Sequence, residues 1–151
     1  MKGMLEISRP VRILLVEDNE TDVLIAREAL KDERLRVDLH VVGNGQDALD
    51  FLLRSVEGAS GEKPDLVLLD WNLPRKSGWE VLSEMKANEA LRRIPVVVLT
   101  TSEAQDDVDQ AYGLHANSYV TKPLGFEQFR QALRATERFW LQIATLPSKT
   151  K

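Results

Sequence analysis

The chain has no cysteine, which removes disulfides, thiol nucleophiles and thiolate metal sites in one step. Histidine is nearly as scarce. His40 and His115 have no Ser/His/Asp signature around them, and both read as ordinary surface or half-buried residues rather than ligands. An excess of basic charge is missing too: Lys and Arg number 20 against 24 acids, a net charge of −4, which argues against affinity built on neutralising nucleic-acid phosphates. No apolar run approaches membrane-spanning length, and the opening MKGMLEISRP lacks the continuous apolar segment of a signal peptide. The expectation is a cytoplasmic protein with neither nucleic acid nor membrane as partner. Internal repeats, low-complexity tracts and interdomain linkers are also lacking, so 151 residues at 43% hydrophobic content predict one domain with a substantial core.

What is present alternates. VRILLV (11–16), VDLHVV (37–42), DLVLL (65–69), IPVVVLT (94–100) and NSYVTK (117–122) are short aliphatic or β-branched runs and predict five strands. Helical spacing lies between and after them. Leu24, Ile25, Glu28, Ala29 and Leu30 mark the first helix, and Ala48, Leu49, Leu52, Leu53 and Val56 the second. Trp79, Val81, Leu82 and Met85 mark the third, residues 103–114 the fourth, and Phe126, Phe129, Leu133, Thr136, Trp140 and Ile143 the fifth. Strands that alternate with helices call for a parallel α/β sheet, because the crossovers cover both of its faces. The first, third and fourth runs are apolar enough for doubly covered strands, whereas VDLHVV alternates at its start and reads as an edge. Asn19 and Asn44 stand where they can cap helices one and two, and SEAQ at 102–105 has the spacing of a capping box for helix four. The stretch SVEGASGEKP, 55–64, reads as a surface loop.

On the flavodoxin-like strand order 2-1-3-4-5, ligands bind at the carboxyl ends of the strands. Strand one then ends in Glu17 and Asp18, strand three in Asp70, strand four in Thr100 and Thr101, and strand five in Lys122 and Pro123. Carboxylates gathered at one edge repel one another, and a hard divalent cation, Mg2+ above all, is their natural compensation. A carboxylate can also attack phosphorus and form an aspartyl phosphate, for which a metal ion, a lysine and a hydroxyl around one Asp suffice. Taken singly, each residue also has a bland reading as a helix cap, a turn acid or a solvated lysine. Their coincidence at equivalent strand ends favours the functional one.

The motifs LLVED (14–18), LLDWNLPRKSG (68–78), VVVLTTS (96–102) and YVTKP (119–123) resemble, in order and spacing, the receiver domains of two-component response regulators. The resemblance spans nearly the whole chain. It implies a (βα)5 doubly wound fold with Asp70 as phosphoryl acceptor. Asp18 would be the direct metal ligand, Glu17 its acidic neighbour acting largely through water, and the backbone carbonyl of Asn72 the last protein ligand for Mg2+. Thr100 would be the switch hydroxyl, Tyr119 the responding aromatic side chain, and Lys122 the cation that pairs with the acceptor and then with phosphate. A cis Lys122–Pro123 bond is also implied. Thr101 replaces the smaller residue many members carry, and Ser77 replaces a common Asp or Asn before Gly78. The loop 55–64, RRIPVVVLTTSEAQDDV and ERFWLQIATLP further resemble the single-domain regulators that serve phytochrome histidine kinases.

The expectation is therefore a stand-alone, non-enzymatic phosphorelay switch. It comprises one receiver domain over 1–151, with a core of about 10–138 and a C-terminal helical extension over about 139–151. Output would pass through another protein or through changed association. In the tail, Phe129, Leu133, Thr136, Trp140 and Ile143 can face the sheet, while Phe139, Leu141 and Leu146 fall off that stripe and hint at a homodimer through helix four, strand five, helix five and the tail. Arg130, Arg134 and Arg138 line another face, which reads as solvated, with interface ion pairs as the alternative. Two rivals remain open. One is a receiver-shaped binding module that is never phosphorylated. The other is a haloacid-dehalogenase-like phosphohydrolase, which needs Asp-x-Asp where this chain has Asp70-Trp71-Asn72.

Overall fold

The computed structural model describes residues 10–31, 36–57 and 63–147. Along it run β1 (Val11–Val16), α1 (Glu20–Ala29), β2 (Val37–Val42), α2 (Gly45–Glu57) and β3 (Leu66–Leu69). There follow α3 (Gly78–Ala87), β4 (Val96–Thr100), α4 (Gln105–Gly113), β5 (Ser118–Thr121) and α5 (Phe126–Arg138). The strands form one parallel sheet in the order β2-β1-β3-β4-β5, so the expected doubly wound architecture is what folds.

The pleat divides the core. Side chains alternate across a strand, so Leu14 and Val16 of β1 join Val67 and Leu69 in a cluster closed by Leu49 and Leu52 of α2, Leu82 and Met85 of α3 and Ala111 of α4. Ile13 and Leu15 point the other way and pack with Ile25 of α1 and Phe129 and Leu133 of α5. β3 and β4 are buried at every position, whereas β2 shows alternating exposure at its start. That is the difference between a doubly covered strand and an edge.

Helix starts follow local chemistry. Asn19 Oδ1 accepts from Asp22 N at 2.9 Å and Asn44 Oδ1 from Asp47 N at 2.8 Å, as capping requires. Ser77 makes the same kind of cap for α3, with Oγ accepting from Glu80 N at 3.4 Å, so the replacement of Asp or Asn there keeps the function of a short oxygen acceptor. SEAQ does not form a capping box. α4 begins at Gln105 behind Ala104, with no side-chain cap, because Ser102 Oγ is engaged by Asp107 at 2.5 Å and by Ala104 N at 3.2 Å. Beyond the end of α4 and its C-cap Leu114, the residue of positive φ is His115 (φ 71).

Several apolar residues expected inward face water: Leu24 (67% exposed), Leu53, Trp79, Phe126 and Ile143. In α1 the adjacent Ile25 and Ala26 take the inner face instead, since a 3.6-residue period cannot bury three consecutive positions. Ser55, Val56 and Glu57, placed in the loop, are the last turn of α2, and 58–62 lie outside the described residues. α5 continues as a π-helical turn over Phe139–Ile143, closed by Ala144 N donating to Phe139 O at 2.7 Å. Trp140 and Leu141 fold back onto the cluster shared by α1 and α5, while Phe139 and Ile143 point outward.

Candidate functional site at the carboxyl ends of the strands

Backbone ladders carry on past the strands and fix the residues that follow them. Glu17 N donates to Val42 O at 3.0 Å, Asp70 N to Val16 O at 3.0 Å and Lys122 N to Thr100 O at 2.7 Å. Each polar side chain is thereby launched from a backbone already held by a neighbouring strand, which is how a rigid sheet builds a precise loop site.

The side chains converge. Glu17, Asp18 and Asp70 each offer a carboxylate oxygen, and these atoms all lie within 4.8 Å of one another. Glu17 and Asp70 are buried, and Asp18 is exposed. An all-oxygen donor set with an exposed member suits a hard divalent cation that keeps some of its water. Against this negative edge stands Lys122, only 6% exposed. Its Nζ bonds Glu17 Oε2, and lies 3.0 Å from Asp22 Oδ2 and 3.6 Å from Asp70 Oδ2. Asp70 Oδ1 also accepts from Asn72 N at 3.4 Å, which curls the chain after β3 back over this carboxylate.

Burial and crowding shift the proton affinities of these groups. Desolvation pushes the Glu17 carboxyl up to about 7, with the Asp70 charge adding to the rise and the Lys122 bond opposing it. Burial works against the Lys122 ammonium, yet the Glu17 bond and the charges of Asp70 and Glu17 outweigh it and hold the lysine above its ordinary value.

The remaining expected residues occupy the neighbouring strands. Thr100 ends β4, is 1% exposed, and its Oγ1 accepts from Ser102 N at 3.5 Å. Thr101 is exposed. Tyr119 of β5 is half-buried, with its hydroxyl donating to Ser102 O at 2.9 Å, a tie between β5 and the start of the β4–α4 loop. The Lys122–Pro123 bond is trans, against expectation. Cis and trans differ by only about 0.5–1 kcal/mol before proline, so the setting and not the residue type decides.

Two features went unread in the sequence. Asp22, in the first turn of α1, reaches Lys122 across 100 residues, and nothing in its local sequence separates it from a helix-favouring acid. Gly78 is the other: a Cβ there would stand 2.4 Å from Asp70 O and 2.7 Å from Trp71 Cα. That approach lets α3 begin directly against the chain bearing Asp70, and Trp71 is fully buried beneath it.

A model of the response regulator receiver domain matches residues 13–134. The response regulator Rcp1 of Synechocystis is 43% identical over 143 residues, covering 95% of this chain and 97% of that protein. Its Mn2+-bound crystal structure superposes with a TM-score of 0.85 at 44% identity, covering 92% of this chain and 100% of that one. The phosphorylated cyanobacterial phytochrome response regulator RcpA superposes with a TM-score of 0.87 at 45% identity, covering 92% and 99% of the two chains. The probable methanogenesis regulatory protein FilR2 of Methanothrix harundinacea is 43% identical over 138 residues, covering 91% of this chain and 88% of that protein.

Proposed function

From the premise that this chain belongs to the response regulator receiver family, we propose that it is a phosphorylation switch in which Asp70 takes a phosphoryl group from a sensor histidine kinase. The observation that carries the reading is the convergence of Lys122 on Glu17 and Asp70, launched from the ends of β1 and β3, with Asp22 reaching the same ammonium from α1. An Asp70 carboxylate oxygen attacks phosphorus, the P–O bond forms as the P–N bond to the donor histidine breaks, and the imidazole leaves with the electron pair. Lys122 neutralises charge on the transferring oxygens, and the sheet-fixed backbone holds the acceptor in line.

Mg2+, held by Glu17, Asp18, Asp70 and the Asn72 carbonyl, supplies the remaining charge neutralisation when bound. The all-oxygen cup fits it, and a relative's Mn2+-bound structure supports a divalent ion. Hydrolysis reverses the state: water attacks phosphorus, and Asp70 and inorganic phosphate result. Thr100 and Tyr119 carry the change outward, and the Tyr119–Ser102 bond is the contact that must break for that ring to move. The chain thus promotes only its own phosphorylation and dephosphorylation. The chain has Asp70-Trp71-Asn72 where a phosphohydrolase of the rival class needs Asp-x-Asp, and its family lends that reading no support.

The kinase docks on the side of α1 and the β5–α5 loop, where Leu24, Leu124 and Phe126 are exposed beside the site. A bacterial phytochrome is the partner we favour, because RcpA, at 45% identity, is by name a phytochrome response regulator; FilR2, at 43%, is by name a methanogenesis regulatory protein. Residues 10–138 form the receiver core, and the extension 139–151, of which 148–151 lie outside the described residues, contributes to a homodimer with α4, β5 and α5. Exposed Tyr112, Phe139 and Ile143 support that surface. Sedimentation of the protein should give a dimer that Ile143→Lys converts to monomer; an unchanged dimer would exclude this surface.

The function itself is tested by incubating the protein with acetyl phosphate, with and without Mg2+. A single Mg2+-dependent phosphoryl adduct should appear, mapping to the peptide that carries Asp70 and labile to hydroxylamine as an acyl phosphate must be. Absence of any adduct under rapid quench would leave the unphosphorylated binding module as the better reading.

A further inference from the structure

Lys122 has a partner outside the three-carboxylate cup. Asp22 lies at the third position of α1, where its N–H is capped by Asn19 Oδ1, and Asn19 N in turn donates to Glu17 Oε1 at 3.1 Å. The Asp22 side chain is therefore presented from a turn that is tied to the cup, 23% exposed, with its carboxylate 3.0 Å from Lys122 Nζ. Asp70, the acceptor, is farther from the same ammonium, at 3.6 Å. Among the described residues, the carboxylates close enough together to share a cation are Glu17, Asp18 and Asp70, and Asp22 is not one of them.

We propose that Asp22 is a positioning residue that holds the Lys122 ammonium back from Asp70 and so weakens the site's grip on an incoming phosphoryl donor. The inference rests on the reading of Asp70 as acceptor. An ammonium has three donors and a flexible stem, and here its shorter contacts go to Glu17 and Asp22. With two of the three donors so engaged, only one is left for phosphoryl oxygens on Asp70, and the Asp22 pair keeps the ammonium on the far side of the cup. Glu17 shares its charge with the cup, whereas the Asp22 charge stays outside and competes with the donor for the same lysine. The bonds made and broken in the transfer are unchanged; only the position from which Lys122 starts is set by Asp22.

The test compares wild type, Asp22→Asn and Asp22→Glu, labelled over a range of acetyl phosphate concentrations in Mg2+. Asp22→Asn should lower the concentration for half-maximal labelling rate about fivefold, the effect of losing one partly exposed ion pair, with the rate at saturation little changed. Asp22→Glu should return it towards wild type. In the protein without donor or cation, the Lys122 Nζ resonance should move in Asp22→Asn and return in Asp22→Glu. Unchanged half-saturation in Asp22→Asn overturns the inference, as does a change with no movement of the Lys122 resonance, which would mean that Asp22 repels the donor directly. A wild type that fails to label overturns the acceptor reading as well, whereas a labelled wild type beside an unaffected variant overturns the inference alone.

Discussion

Asp70→Asn is expected to abolish phosphoryl labelling and, at the same time, to stabilise the cation-free protein. The first effect is chemical: an amide oxygen does not form the acyl phosphate, so the adduct should disappear from intact mass spectra, not merely diminish. The second follows from crowding. Asp70 shares a 4.8 Å cluster with Glu17 and Asp18, and its charge helps to raise the Glu17 carboxyl. Removing it relieves repulsion. Its own attraction to Lys122, which helps to raise that lysine, acts across 3.6 Å, the longest of the three pairs the ammonium makes, and the Glu17 and Asp22 pairs remain. A gain of about 1 kcal/mol is expected, or about 3 °C in Tm for a chain of this length. Such a trade is common where function requires like charges together. Added Mg2+ should narrow the difference by stabilising the wild type more. A variant that still labels, or that melts below wild type without cation, would contradict this account.

Lys122→Ala should do the reverse in stability while also damaging transfer. Glu17 is 3% exposed and Asp70 8%; without the ammonium both remain in low-dielectric surroundings beside each other. Breaking a buried pair by removing one partner costs about 3–5 kcal/mol. Tm should fall by about 10 °C, and labelling by acetyl phosphate by about a hundredfold or more, the usual effect of losing a charge-stabilising group. Lys122→Met keeps the stem's volume and should recover packing but not labelling.

The loss of stability carries a pH signature. The Glu17 carboxyl is raised in the folded protein from 4.5 to about 7 chiefly by burial, and Lys122 lowers it; without Lys122 it rises further. A carboxyl raised on folding favours the fold most below its unfolded value and loses that advantage as pH climbs through the folded value. The variant's deficit in urea melts should therefore be small near pH 5 and largest above neutrality. A deficit independent of pH would point to lost packing in place of lost charge.

The legibility of this protein varied with the range of the interaction. Helix caps at Asn19 and Asn44 could be read because donor and acceptor lie three residues apart. The proposed cap at Ser102 failed because its hydroxyl had a nearby competitor, Asp107, and spacing alone does not rank acceptors. Leu24 and Leu53 counted as core in a pattern but face water, since periodicity marks a stripe without fixing its edges. In the extension, Trp140 and Leu141 turn inward while Phe139 and Ile143 turn out, a division made by the π-helical turn and invisible to 3.6-residue counting.

By itself the sequence determined the alternation of strands and helices, the doubly wound sheet and the placing of Glu17, Asp18, Asp70, Thr100 and Lys122 at strand ends, because these rest on periodicity and on handed crossovers that act locally or through simple topology. Only the tertiary structure decided how those ends combine. It put Lys122 nearer to Glu17 and Asp22 than to Asp70, raised Glu17 towards neutrality and set Gly78 hard against the backbone of Asp70. Distances of a few tenths of an ångström between charges, and the burial that magnifies them, come from packing across the whole sheet, and no local pattern of residues encodes them.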